Sequence, residues 1–320
     1  MECLESGIRQ AYMDEKARQK KPWVPKFPKG MVFGNSGKDK LAKRQAEILE
    51  AFLLSDLYVV HSLPKVGGSS VAATLKASFE FARVLHAHSL TENGFRTWSL
   101  ALPEYSELGR YAALSHLGSA RTAAMLLEAT TMLFPKSRKR AIIGGVREPV
   151  SWALSLYFEA YRFFFDENYH RITVEMAREF ITKVLTGQMS HLGPPYTNPE
   201  KWFNDEFASA HGFNPLTCEF DIKKGYQIYK TDNHPVLMIR QENLSSLAEA
   251  LSVFLGYPAE FIATVNANTA ELKAYSELYR SIKDRLKFDS AFLQSVYSDA
   301  YSKRFYSQVE RDSFISRWKS

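Results

Sequence analysis

The sequence predicts an α/β fold: a doubly wound, mainly parallel sheet flanked by helices. Three observations predict it. Short apolar, largely β-branched runs recur: LYVVHSL at 57–63, RVLHAHSL at 83–90, RAIIGGV at 140–146 and PVLMIR at 235–240. Continuous apolar runs of this length are the profile of strands buried on both faces. Stretches with apolar residues at helical spacing separate them, which implies parallel strands joined by crossover helices.

Taken in order, residues 1–38 are polar and punctuated by Pro22, Pro25, Pro28, Gly30, Gly34 and Gly37, and read as an irregular N-terminal arm. A single domain is expected over 39–320. Leu41, Ile48, Leu49 and Phe52 repeat helically between Asp39 and Leu54. The first strand runs into SSVAATLKASFEFA (69–82), which has apolar residues at helical intervals. Residues 91–118 read as loop with short elements, and 119–133 as a helix that Pro135 ends. After the third strand, Pro149 opens a helix through about Phe165, because proline is tolerated in a first helical turn. The aromatic run YFEAYRFFF (157–165) reads as core packing. A helix over 171–187, a proline-rich loop over 191–202 and helices over 244–255, 270–286 and 289–299 complete the reading.

Composition narrows the classes. The chain is 45% apolar, enough for a sizeable core, and its formal net charge is +6. Mild basicity suits an anionic ligand. KSRKR (136–140) reads as a solvated turn. The two cysteines, Cys3 and Cys218, do not make a disulfide framework and suit a reducing compartment. The stretch MECLESGIRQAYMDEKARQKK lacks an apolar signal core, and no run approaches the roughly 18 apolar residues of a membrane span. A cytoplasmic protein without a metal-ligand cluster is expected.

The most specific stretch is HSLPKVGGSSVAATLK (61–76). A strand running into glycines and then a helix is a phosphate-binding design: the glycines let backbone N–H groups approach oxygens, and the helix N-terminus favours negative charge. Lys65 adds a full charge, while Ser69 and Ser70 add hydroxyls or cap the helix. The triphosphate loop G-x-x-x-x-G-K-[ST] is a different pattern, since here the lysine precedes the glycines. A second element, VREPVSWALSLY (146–157), puts Arg147 at the end of the third strand and Ser155 in the following helix. Both can converge on one anion outside the carboxyl ends of the strands, where ligands bind in open α/β sheets.

As a pair, PKVGGSS and V-R-E-P-x-x-x-A-x-S-x-Y resemble the two nucleotide motifs of sulfotransferases that use 3′-phosphoadenosine 5′-phosphosulfate (PAPS). WFNDEF (202–207), FDIKKGYQIY (220–229), VLMIRQENL (236–244) and YSDAYSKRFYS (297–307) resemble the subgroup labelled capsular polysaccharide synthesis or sulfotransferase-like. The resemblance implies a P-loop-like sulfotransferase architecture with helical additions. It implies that Pro64, Lys65, Gly67, Gly68, Ser69 and Ser70 hold the 5′-phosphosulfate, that Arg147 and Ser155 hold the 3′-phosphate, and that the product is adenosine 3′,5′-bisphosphate. Val66 stands where the family often has threonine.

Sulfuryl transfer needs charge neutralised on the leaving phosphate, for which Lys65 is the candidate, and a base for the acceptor. Strand alternation puts His86 and His88 on one face. His88, nearer the carboxyl end, is the favoured base, with His86 next and His116, Glu92 and Glu148 behind; Glu148 reads more simply as a surface residue. The expected partner is a glycan or small-molecule acceptor with a hydroxyl or amine, and no nucleic acid. Two alternatives stay open: a P-loop-type kinase using ATP–Mg²⁺, and a non-catalytic nucleotide- or glycan-binding relative.

Overall fold

The computed structural model describes residues 56–79, 82–102, 107–133, 140–164, 169–192, 196–232, 234–266 and 275–320. The expected N-terminal arm (1–38) and the helix over 39–54 lie outside these residues. The α/β expectation holds: a central five-stranded, mostly parallel sheet is flanked by helices. Its strands are β1 (Leu57–His61), β2 (Arg83–Ala87), β3 (Arg140–Val146), β4 (Tyr226–Tyr229) and β5 (Val236–Arg240), in the order β2-β1-β3-β5-β4. The pairs β1–β2, β1–β3 and β3–β5 are parallel, and β4 lies antiparallel on β5 with Tyr226 opposite Ile239.

Alternation along the strands feeds two cores. Val59, Ile142 and Met238 face one, while Val60, Ile143 and Leu237 face the other. The second core is closed by Val71 and Leu75 of α1 (Gly68–Ser78) and by a later helix over 247–255. The first is closed by α2 (Glu92–Ala101), α3 (Glu107–Leu133) and α4 (Pro149–Phe164), with Trp152, Leu154 and Phe158 of α4 fully buried. Of the aromatic run, Tyr157, Phe158 and Tyr161 are buried as core, while the side chains of 162–165 lie outside those described.

Chain order places β2 and β3 on opposite sides of β1. The connections after β1 and β3 therefore diverge, and a crevice opens between the carboxyl ends of these two strands. Gly144 and Gly145 let neighbours approach β3 closely. A β-carbon on Gly145 would lie 2.8 Å from Val66 Cγ2 and 3.0 Å from the Val66 carbonyl oxygen, so the loop after β1 rests directly on β3.

The structure differs from the sequence reading in several places. Residues 91–118, expected as loop with short elements, hold all of α2 and the first part of the long helix α3. Thr91 caps α2 through a bond from the Gly94 N–H, and α3 buries Ala113, Leu117, Ala120, Ala123 and Leu127. This stripe of small residues carries little apolar contrast in the sequence. The helix expected over 171–187 is α5 (Val174–Leu185), started by its Thr173 cap. Within 191–202, Asn198 caps a short helix, α6 (Pro199–Trp202), that continues through a π-helical turn (Phe203–Phe207) into α7 (Ala208–His211). The next helices are α8 (Leu247–Leu255), α9 (Ser276–Arg285) and α10 (Ser290–Tyr297), and α11 (Ala300–Phe305) and α12 (Gln308–Trp318) follow unanticipated. Strand β4 was also not anticipated: it is short, half polar and positioned only by pairing with β5. Among the described residues no helix is long and apolar enough to cross a membrane.

The close approach at Gly145 gives a direct test. Gly145→Ala puts a methyl group against the Val66 backbone, which cannot rotate away as a side chain would. Urea unfolding is expected to show a loss of about 1–3 kcal/mol.

Candidate functional site

The loop between β1 and α1 is shaped by backbone strain and by anchors from α4. Lys65 has φ 66°, the only left-handed non-glycine residue among those described, and Gly67 has φ 90°. The left-handed conformation costs a non-glycine residue about 1–2 kcal/mol. Two bonds hold it: Trp152 Nε1–H donates to the Pro64 carbonyl at 2.8 Å, and Arg147 Nη1–H donates to the Lys65 carbonyl at 3.0 Å. Gly67 is the N-cap of α1, and no side chain caps that end, so neither Ser69 nor Ser70 plays the capping role. The helix thus presents its first turn, with its partial positive charge, to the crevice.

Arg147 also donates from Nη1 to Ser155 Oγ at 2.9 Å, and Ser155 Oγ lies 3.3 Å from the Tyr279 hydroxyl on α9. Its Nε is shielded from solvent and makes no hydrogen bond. The Arg147 backbone is fixed from below, its N–H donating to Tyr301 Oη at 2.9 Å and its carbonyl accepting the Tyr301 O–H at 2.8 Å. The structure therefore brings together the two motifs expected to share one ligand.

Between them lies a cavity of about 370 Å³. Lys65, Gly67, Ser70, Arg147 and Ser155 line it; Pro64, Gly68 and Ser69 belong to the same loop without forming its walls. Phe158 and Leu244 supply apolar surface, and Gln241 enters from the end of β5. Opposite stands α9, with Tyr275, Tyr279, Arg280 and Lys283. Among the described residues, four cations and no carboxylate line this cavity, which suits a ligand carrying several negative charges. Arg280 and Lys283 were not singled out from the sequence. Their signal was a basic i, i+3 pair on a polar helix that buries only Ile282, a pattern shared with any solvated helix.

Lys65 Nζ contacts Glu159 Oε2 of α4 at 3.3 Å. That carboxylate is 30% exposed, so the pair is partly screened by water.

His86 of β2 and His88 just after it occupy a different place. Their rings pack edge to face, with centroids 4.8 Å apart, and line a small cleft with Trp98 and His116 rather than the large cavity. His88 Nδ1 lies 2.7 Å from the Ser62 carbonyl; a carbonyl only accepts, so this nitrogen carries the proton and Nε2 keeps a lone pair. His86 Nε2 is shielded and makes no hydrogen bond. It sits against the start of α1: a β-carbon on Gly68 would lie 2.6 Å from His86 Nε2 and 2.8 Å from Ser62 Oγ. Gly68 is therefore required for space, and His86 is the ring that touches the phosphate-type loop. Burial, followed by the charge of His116, lowers the His86 pKa from 6.5 to about 4, and burial together with His86 holds His88 well below its ordinary value. Both rings are neutral at neutral pH. An anion bound beside them would raise their basicity. His116 is exposed at the outer side of the cleft, and Glu92 is exposed in the first turn of α2.

Glu148 is not the surface residue its sequence context suggested. It is buried and caps α4, accepting from the Val150 and Ser151 N–H groups at 2.8 Å each, and the Tyr297 hydroxyl donates to its Oε1. With both oxygens engaged it is structural. Below it, Glu242 Oε1 accepts the Glu148 N–H at 2.8 Å, and burial raises the Glu242 pKa.

Comparison with known families matches residues 194–307 to a family described as "Putative capsular polysaccharide synthesis protein". The match spans the WFNDEF, FDIKKGYQIY, VLMIRQENL and YSDAYSKRFYS stretches and begins after both Lys65 and Arg147. No curated protein matches, and no solved structure matches.

The depressed His86 pKa has a signed consequence. The unfolded chain binds a proton at this residue near pH 6.5 while the folded chain refuses it down to about pH 4. The stability that neutral His86 contributes is present above pH 6.5 and is lost as pH falls towards 4. Replacing it by asparagine is expected to flatten the fall of the urea midpoint across that window relative to the wild-type protein.

Proposed function

We propose that this protein transfers the sulfuryl group of PAPS to an acceptor hydroxyl or amine on a carbohydrate or small molecule. One observation carries the reading: the Arg147 guanidinium bonds at once to the Lys65 carbonyl of the loop after β1 and to the Ser155 hydroxyl of α4, so two segments far apart in sequence form the walls of one cationic cavity. Its size, the four cations among its described lining residues and the unpartnered Arg147 Nε fit a nucleotide with phosphate at both ends of the sugar.

In this reading the start of α1, with Gly67, Gly68, Ser69, Ser70 and Lys65, holds the 5′-phosphosulfate. Arg147 and Ser155 hold the 3′-phosphate, and Arg280 and Lys283 add charge at the far wall. Bound PAPS supplies the sulfuryl group: the acceptor oxygen or nitrogen bonds to sulfur, the sulfur–oxygen bond to phosphate breaks, and its electron pair stays on the phosphate. Lys65, released from Glu159, meets the charge that develops on that oxygen. The acceptor proton passes to a neutral imidazole. His86 touches the start of α1, and His88 is held by the Ser62 carbonyl with its Nε2 free to accept. A glycan acceptor is supported by the polysaccharide-synthesis family matched over residues 194–307.

Thermal shift against adenosine 3′,5′-bisphosphate and against ATP–Mg²⁺ tests the cofactor class. Greater stabilisation by the bisphosphate is expected; greater stabilisation by ATP–Mg²⁺ would favour a kinase. Lys65→Ala and Arg147→Ala each remove a charged contact to phosphate, and calorimetry is expected to show about 10- to 100-fold weaker bisphosphate binding. Removal of the true base lowers turnover by about 10²- to 10⁴-fold with bisphosphate affinity retained. Parallel assays of His88→Ala and His86→Ala against a sugar and amine acceptor panel identify which ring it is. Bisphosphate binding with no transfer to any acceptor would point to a non-catalytic binder.

A further inference from the structure

The chain immediately after the two histidines is gripped by a single buried carboxylate. Glu206 sits on the π-helical turn Phe203–Phe207 and is 4% exposed. Its Oε1 accepts the N–H groups of Leu90 at 2.6 Å and Thr91 at 3.0 Å. Its Oε2 accepts the hydroxyls of Ser89 at 3.0 Å and Thr91 at 2.6 Å. His61, at the end of β1, brings Nε2 to 3.5 Å from Oε1. One residue upstream of the turn, Trp202 Nε1–H donates to the His88 carbonyl at 3.2 Å. Gly94 leaves the room this needs: a β-carbon there would lie 2.4 Å from Glu206 Oε2.

A buried carboxylate is costly unless its partners compensate it. Burial alone would raise the Glu206 pKa, but His61 and the donors of residues 90 and 91 outweigh that and hold it below the ordinary value. The charge is not needed to start α2, because Thr91 already caps that helix through the Gly94 N–H. What the carboxylate adds is a fixed register between the 199–211 segment and the end of β2. On its other side that strand end is tied to the phosphate-type loop, since the Ser62 N–H donates to the Ala87 carbonyl at 3.2 Å and the His88 ring bonds the Ser62 carbonyl.

We propose that Glu206 is a positioning residue for the histidine strand: by clamping residues 89–91 it sets where His86 and His88 stand relative to the start of α1. The inference rests on the proposed transfer for its kinetic consequence, while its geometric content is independent of it. Glu206 touches neither ring and acts through the backbone. The π turn is the means of delivery, since it turns Glu206 inward together with Phe203 and Phe207.

The test compares wild-type protein, Glu206→Ala and Glu206→Gln, saturated with adenosine 3′,5′-bisphosphate for the exchange measurement and free of nucleotide at the start of the other two. Solvent exchange of the His88 Nδ1–H, followed by NMR, reads the position of the ring. Calorimetry reads bisphosphate affinity, and conversion of PAPS to the bisphosphate, with water or sugar as acceptor, reads turnover. Glu206→Ala is expected to speed exchange of the ring proton and to lower turnover on the order of 10- to 100-fold, with bisphosphate affinity within about twofold of wild type. Glu206→Gln keeps an acceptor for the Leu90 and Thr91 amides and is expected to restore most of both. Ser89→Ala, which removes one donor and leaves the carboxylate held by three, is expected to move the same readouts less and serves if the alanine variant does not fold. Unchanged ring-proton exchange in Glu206→Ala and Ser89→Ala, or bisphosphate affinity falling in step with turnover, overturns the proposal. Failure of the wild-type protein to consume PAPS overturns the proposed transfer and leaves ring-proton exchange to decide the clamp.

Discussion

The bond pair from Arg147 Nη1, to the Lys65 carbonyl and to the Ser155 hydroxyl, is the constraint on which the rest of the site depends. It ties the loop after β1 to the helix after β3 across the crevice between those strands. It also stabilises a left-handed lysine that would otherwise relax. A guanidinium suits this place because its planar fork holds its donors in fixed directions, whereas the donors of a lysine ammonium rotate on a flexible stem. Two of those directions are spent on the fold, and the shielded Nε remains unpaired.

Support for Arg147 comes from a long way along the chain. Tyr301 brackets its backbone, Tyr297 bonds Glu148, and the Tyr306 hydroxyl donates to Glu242 Oε2 at 3.2 Å. Arg240 continues this layer, donating to Asn243 Oδ1 at 2.8 Å and pairing with Glu310 at 2.8 Å, and its backbone N–H reaches the Gly225 carbonyl. Trp202 and Glu206 do the same for the end of β2. The stretches that carry the family match are thus the ones that frame the cavity from behind: WFNDEF holds the histidine strand, VLMIRQENL forms β5 and the Glu242 contact, and YSDAYSKRFYS supplies the three tyrosines. The family match is confined to residues 194–307, yet the frame it covers and the loop after β1 are parts of one hydrogen-bonded unit.

The two histidines show how one strand yields two environments. Both were candidates on alternation alone, and both lose basicity by burial. Yet His88 is oriented by a carbonyl and clamped at its backbone, whereas His86 has an unsatisfied nitrogen pressed against a glycine. Any ligand at the start of α1 changes the field at His86 first.

The sequence by itself determined the strands β1, β2, β3 and β5, the glycine loop and its helix, and the nearness of Arg147 to Ser155. These are local: a run of buried residues, a proline at a helix start and a fixed offset along one helix are written in neighbouring positions. Only the tertiary structure decided that α9 closes the cavity with Arg280 and Lys283, that β4 joins the sheet edge, that Glu148 is a buried cap, and that Glu206 reaches back to residues 89–91. Each of these depends on which surface a distant segment packs against. A solvated basic helix, a short half-polar strand and a glutamate in a turn look alike in sequence until packing removes water from one of their faces.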